Sequence, residues 1–378
     1  MRKLLLSVAV IGLFACTGQK ENSFKIEGTI TGDSLTAAKV YLQNFSRTNP
    51  VKDTADLVEG KFVFEGSVST PDHYAITIEG IKGRIILFLE NADYTIEAAK
   101  EDLSKAVVKG GVTNELVNAL NAKKDSLSKS YKMEDMFAEY DNPATTAERK
   151  MIIDSLYEKM QSEMNLYDSL FYVNNPTSPY TLIQYVRNLE NFKIEDAEAK
   201  LASFKALPEF SENTYIAELE SDIATLKGLL PGMKAPEFAL SDPKGNQISL
   251  SSVYTQNKIT MIDFWAGWCS PCRQFNPTLV KIYKEMNKAG FGILGVSLDK
   301  DAELWNKAIA DDKLEWAQVS ELKHWDSEVA KKFHVRYIPQ NIFVDQNGNI
   351  IKRQVSEEEI LGFVKRYLDS LKGAEVKK

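Results

Sequence analysis

Two of the three cysteines in this 378-residue chain lie in Trp268-Cys269-Ser270-Pro271-Cys272, a C-x-x-C placed between an apolar run and a helix-like segment. Thiols at that spacing on a strand-to-helix turn can close a disulfide, and the helix N-terminus gives the first of them thiolate character. The chemistry indicated is redox. Zinc fits poorly, since a structural site needs about four ligands and no second C-x-x-C exists. His73, His324 and His334 are scattered without ligand spacing, so each reads as an ordinary surface or half-buried side chain, and no cofactor is called for. Asp263 is the one acid in the run Ile259-Thr260-Met261-Ile262-Asp263-Phe264-Trp265, on the same alternating face as Met261 and Trp265. A carboxylate there should be desolvated and its pKa raised, which suits it to take the proton from Cys272 as that thiol attacks.

The elements that must position these groups follow from periodicity. Residues 259–265 read as a strand, 270–288 as a helix, 291–298 as a buried strand, 301–311 and 326–333 as helices, and 340–344 as a strand. A hairpin turn at 345–349 and a closing helix at 356–371, with Ser356 as candidate cap, complete an α/β unit with a mixed sheet. Punctuation at Leu230-Pro231-Gly232 marks its start, giving a domain over 231–378. Upstream, 24–112 shows short β-branched and aromatic runs at 24–30, 39–42, 61–66, 74–78 and 84–89 separated by turn residues, predicting a small β-sandwich. A helical segment over 113–230 follows, with Leu116/Leu120 and Ile152/Leu156/Met160 at helical spacing and breaks at Pro176 and Pro179.

Residues 1–15 have a basic start, Arg2 and Lys3, an apolar stretch and a small residue, Ala15, before Cys16. They read as an export signal, too short to span a bilayer. Leu13-Phe14-Ala15-Cys16 resembles a bacterial lipobox, which makes Cys16 a candidate lipidation site and residues 16–23 a tether; the alternative is a plain signal peptide cleaved nearby. An exported chain with one C-x-x-C pair in its mature part uses that pair for activity rather than as a staple. Without Arg2 and Lys3 there remain 44 basic side chains against 53 acidic, a net charge near −9. Nucleic acid is an unsuitable partner for such a surface, and membrane contact is assigned to the lipid.

Asp263-Phe264-Trp265-Ala266-Gly267-Trp268-Cys269-x-x-Cys272, with Pro277 in the next helix and Pro339 before a late strand, resembles thioredoxin. The opening Pro-Gly-Met-Lys-Ala-Pro-Glu-Phe and the strand Leu294-Gly295-Val296-Ser297-Leu298-Asp299 are similar to the extracytoplasmic TlpA/ResA branch, a likeness that covers 231–371. The upstream part resembles the N-terminal domain of Bacteroidetes lipoproteins of this kind. The resemblance implies a thioredoxin fold in which Cys269 is the exposed nucleophile and Cys272 resolves the mixed disulfide. It also implies a cis Ile338-Pro339 bond opposite the cysteines, where the backbone of Ile338 pairs with a client segment, and a rim shaped by Trp268 and Pro271. Trp265 reads as packing and Pro277 as a helix kink.

ResA-like cytochrome c maturation proteins carry a functional glutamate three residues after the second cysteine, and this chain has Phe275 there, which argues for a different client. The implied activity is a membrane-anchored thiol-disulfide oxidoreductase that reduces disulfides of client proteins. Its electrons would come from a membrane conduit of the DsbD/CcdA type. The implied place is the periplasm-facing cell envelope, with the outer membrane preferred because Thr17, not aspartate, follows Cys16. Two other readings stand beside it. One is a thiol peroxidase of the peroxiredoxin kind, although the P-x-x-x-[T/S]-x-x-C pattern is missing before Cys269. The other is a binding or scaffold lipoprotein with an auxiliary thioredoxin domain.

Overall fold

The computed structural model describes residues 23–33, 37–45, 52–210 and 213–375, so the signal segment and Cys16 lie outside the described residues. The chain divides into two compact units, one of residues 1–188 with 202–217 and the other of 189–201 with 218–378.

Eight strands open the first unit: β1 (Phe24–Thr31), β2 (Ala38–Asn44), β3 (Lys52–Leu57), β4 (Lys61–Gly66), β5 (Asp72–Ile78), β6 (Ile85–Leu89), β7 (Asp93–Ala99) and β8 (Asp102–Lys109). They form two four-stranded sheets, β4-β1-β7-β8 and β3-β2-β5-β6. Ile26, Phe62, Tyr94 and Ile96 of one sheet share a single core with Val40, Leu42, Ile76 and Leu87 of the other, which is the sandwich arrangement. Alternation explains the faces: β7 reads exposed-buried throughout, with Tyr94, Ile96 and Ala98 turned inward.

Helices α1 (Val112–Ser130), α2 (Met133–Asp141), α3 (Ala147–Asn174) and α4 (Pro179–Arg187) follow. Thr146 caps α3 by accepting from the Arg149 N–H, and Pro179 starts α4 at a position where its missing N–H costs nothing. The predicted helical stripes face inward at Leu120 and Met160, whereas Leu116 and Ile152 are exposed and the neighbouring Ile153 is buried instead. Sandwich and helices are tied together by Asp72. Its buried carboxylate accepts from Arg187 Nη2 at 2.8 Å and from Tyr215 Oη at 2.5 Å. Burial, and then the Arg187 charge, lower the pKa of the adjacent His73 to about 4.

The division between units runs through α5 (Ile194–Lys205) and α6 (Thr214–Lys227). The second unit therefore begins before Pro231, taking in 189–201 and 218–230 as well. Its strands are β9 (Ala239–Ser241), β10 (Gln247–Ser249), β11 (Ile259–Trp265), β12 (Phe291–Ser297), β13 (Ala317–Ser320), β14 (Gln340–Asp345) and β15 (Ile350–Arg353). Its remaining helices are α7 (Leu250–Tyr254), α8 (Ser270–Met286), α9 (Ala302–Asp312), α10 (Glu328–Lys332) and α11 (Ile360–Glu375).

One seven-stranded sheet, ordered β10-β9-β13-β12-β11-β14-β15, carries them. Strand β11 is parallel to β12 and antiparallel to β14, and all seven of its residues are buried, as an apolar run in mid-sheet should be. This is the mixed α/β sheet that the thioredoxin resemblance implies. The closing helix starts at Ile360, not at Ser356, because the chain first makes a turn closed by Glu359 N–H to the Ser356 carbonyl.

Candidate redox site

Strand β11 ends at Trp265, and four residues later Cys269 becomes the N-cap of α8. Its Sγ accepts from the Cys272 N–H at 3.2 Å, and its carbonyl accepts from the Arg273 N–H at 3.0 Å. A sulfur therefore takes the place that a Ser or Asp oxygen usually has at a helix start. The unpaired N–H groups there stabilise negative charge on it. Pro271 fits the first turn, where no intrahelical N–H is required. Inside the helix Pro277 cannot donate to the Arg273 carbonyl, yet α8 continues to Met286.

Cys269 and Cys272 are joined in a disulfide with Cα atoms 5.3 Å apart. In this oxidised form the first sulfur is not the exposed thiol expected from sequence. Cys269 is 4% exposed and Cys272 2%, and both belong to the apolar core of this unit. Exposure belongs to their neighbours Trp268 and Pro271. Phe275, where ResA-like proteins have glutamate, packs half-buried against the same core.

Asp263 lies between Gly295 of β12 and Asn341 of β14, two residues short of the end of β11, and is 7% exposed. Burial, with a smaller contribution from Glu357, pushes its carboxyl up to about 7. A carboxyl that is half-ionised near neutral pH can both accept and return a proton. Trp265 is packing, as expected: it is buried and its Nε1 donates to Gln318 Oε1 at 3.0 Å. A Cβ at 295 would fall 2.1 Å from that same oxygen, so a larger residue there would have to displace the Gln318 amide that holds Trp265.

The turn that presents the cysteines is held by groups the sequence did not single out. Asp299, fully buried after β12, accepts the Gly267 N–H at 2.8 Å and the Ser297 hydroxyl at 2.8 Å through one oxygen. Arg273 donates to the Gly267 carbonyl at 3.2 Å, and its guanidinium is forked onto Asp312, which also accepts from Asn276 at 2.7 Å. The Gly267 peptide is thus gripped at both ends.

The Ile338-Pro339 bond is cis. Gln340, the next residue, pairs with Phe264, so the register brings Ile338 and Pro339 to the end of the sheet where β11 gives way to the C-x-x-C turn. Trp268, 42% exposed, stacks on His324 with ring centroids 4.9 Å apart and meets the edge of Trp325 at 6.2 Å. Tyr337 adds a second exposed ring next to Ile338.

His334 departs from the expectation that each histidine is a surface or half-buried side chain. It is 5% exposed, with Nδ1 at 3.1 Å from Glu190 and Nε2 at 3.4 Å from Asp222. Burial lowers its pKa, but the hydrogen bonds to Asp222 and Glu190 outweigh that and leave it raised.

Residues 231–353 match the AhpC/TSA family, and residues 24–117 match DUF4369, a domain of unknown function. The thiol-disulfide oxidoreductase ResA of Geobacillus kaustophilus is 28% identical over 144 residues, covering 37% of this chain and 78% of the relative. A probable nucleoredoxin 1 of Arabidopsis thaliana is 33% identical over 128 residues, 32% of this chain and only 20% of that longer protein. Among solved structures, the C-terminal domain of a putative thiol-disulfide oxidoreductase from Bacteroides thetaiotaomicron is 35% identical. It covers 38% of this chain and 98% of its own length with a TM-score of 0.36. By the family match and the likeness to ResA, residues 231–353 are an AhpC/TSA-family redoxin domain of the thiol-disulfide oxidoreductase type.

Proposed function

We propose that the chain is an extracytoplasmic thiol-disulfide oxidoreductase, tethered through Cys16, that reduces disulfides in client proteins with the Cys269/Cys272 dithiol. The observation that carries this reading is Cys269 as the cap of α8, disulfide-bonded to Cys272. In the reduced protein the Cys269 thiolate attacks one client sulfur, and the other client sulfur leaves and takes a proton. Cys272, losing its proton to Asp263, then attacks Cys269 Sγ. The second client sulfur departs with the proton that Asp263 returns, so with the one the first client sulfur took from solvent, two electrons and two protons have passed to the client. Ile338 and Pro339 offer backbone to the client segment, Trp268 and Pro271 form the rim, and a membrane conduit of the DsbD/CcdA type re-reduces the pair. The periplasm-facing envelope, with outer-membrane placement preferred, is the compartment this reading requires. No helix among the described residues is long and apolar enough to cross a membrane.

Equilibration with glutathione or dithiothreitol buffers, followed by thiol alkylation, tests the proposal. A potential near that of thioredoxin, about −270 mV, supports a reductant, whereas one near −120 mV makes the chain a disulfide donor. Replacing Cys269 with serine should abolish turnover, while Cys272→Ser should accumulate mixed disulfides with clients; turnover that survives both changes would sink the reading. The AhpC/TSA match gives one reason to keep thiol peroxidase as a second reading. Peroxide consumption without a disulfide client would favour it.

A further inference from the structure

Among the described residues, no backbone hydrogen bond holds 336–339, the stretch between the Val335 N–H bond to Ala330 and the first β14 pair at Gln340. Free backbone is what an extended client segment would pair with, but it needs some other means of being kept in place. Side chains supply that. Glu190, in the short helical turn before α5, has Oε1 at 3.1 Å from His334 Nδ1, and its Oε2 accepts from Gln340 Nε2 at 3.4 Å and from Gln354 Nε2. Arg353 Nη2 lies 3.6 Å from it. One carboxylate therefore holds the chain on both sides of Ile338-Pro339.

A second arm supports the first. Arg336 is paired with Asp222 and, at 3.6 Å, with Glu218, both on α6, and Asp222 also faces His334 Nε2. Glu190 and Asp222 are each only 13% exposed. Burial alone would raise the Glu190 carboxyl, but the bonds from His334 and Gln354 and the Arg353 charge bring it below its ordinary value, so it is ionised. Charge of that kind in a low-dielectric setting fixes geometry firmly.

We propose that Glu190 is a positioning residue for the client loop Tyr337-Ile338-Pro339, setting that loop against the cysteines through His334 on one side and Gln340 on the other. The inference rests on residues 337–339 being the surface that receives a client. It assigns a part in the reaction to a residue outside the AhpC/TSA match of 231–353.

The test compares the whole wild-type chain with Glu190→Gln, Glu190→Ala and Glu190→Asp, using insulin as protein disulfide and hydroxyethyl disulfide as a substrate too small to span the loop. Dithiothreitol serves as reductant. KM for insulin should rise about tenfold in the Gln and Ala variants, the change that ~1.4 kcal/mol of lost binding gives, with kcat held. Glu190→Asp should recover part of it, and hydroxyethyl disulfide kinetics and the reduction potential should not move. An unchanged KM for insulin, or a parallel loss with both disulfides, overturns the proposal. Should the Ala variant fail to fold, the isosteric Gln variant decides alone. Wild type is assayed first: if it cannot reduce insulin, the functional reading fails, and this inference falls with it.

Discussion

Asp263 carries an energetic debt that is measurable through pH. An unfolded aspartate titrates near 3.9, and burial holds this one at about 7, so the folded chain binds the extra proton between those values. Stability therefore falls as pH rises from about 4 to 7, and the penalty is complete above 7. Asp263→Asn should raise the urea midpoint at pH 8 by an amount worth a few kcal/mol and leave it unchanged at pH 4. The same variant should slow release of the mixed disulfide; equal midpoints at pH 8 would show the carboxyl is not desolvated. This residue was legible in the sequence because an acid inside an otherwise apolar run has few innocent explanations. Asp299 was not: the acid stands past the end of its strand, and only the folded chain shows it holding the Gly267 N–H. Removing its carboxylate leaves that N–H and the Ser297 hydroxyl unsatisfied, so Asp299→Ala should cost about 3 kcal/mol in urea titration, against about 1 for Ser297→Ala. Equal costs would mean that Asp299 does not hold the turn.

At the scale of elements, legibility followed burial. Strands β11 and β12 are buried at every position and read from sequence as mainly apolar runs, broken in β11 by Thr260 and Asp263. Helix α8 (Ser270–Met286) was read from sequence as a helix over 270–288, following the strand-to-helix turn. Strand β3, Lys-Asp-Thr-Ala-Asp-Leu, escaped because only Leu57 of its six residues is buried, which is how a sheet-edge strand is composed. Strand β13 escaped for a different reason: its four residues are too few for a period to show, although three of them are buried. Strand β7 did carry a full alternation and could have been read. The site itself was legible in its chemistry but not in its support, since the cysteines and Asp263 share one short segment whereas Glu190 reaches His334 across 144 positions.

For the whole molecule, two compact units imply two melting transitions rather than one. Asp72 belongs to the first unit, where Arg187 and Tyr215 depend on it. Asp72→Ala should lower that unit's transition by about 2 kcal/mol, a figure discounted from the buried-pair range because Arg187 is one-third exposed. Calorimetry should show the other transition unmoved and the redox potential unaltered; a shift of both would mean the units melt as one. Pro231 marked where the redoxin match begins, whereas the compact unit, which also takes in 189–201 and 218–230, was not legible because those extra pieces lie on the far side of that break in sequence.

That interleaving sets an order of events during synthesis. The chain passes from one unit to the other after 188, 201 and 217. Glu190 emerges before the last piece of the first unit and long before Gln354, its most distant partner. At roughly 5–20 residues per second, it waits on the order of ten to thirty seconds for that partner to be made. The redoxin unit therefore cannot finish while its own carboxyl-terminal third is still unsynthesised. Under the extracytoplasmic reading proposed above, the chain crosses a membrane before it folds, and such a delay serves that crossing.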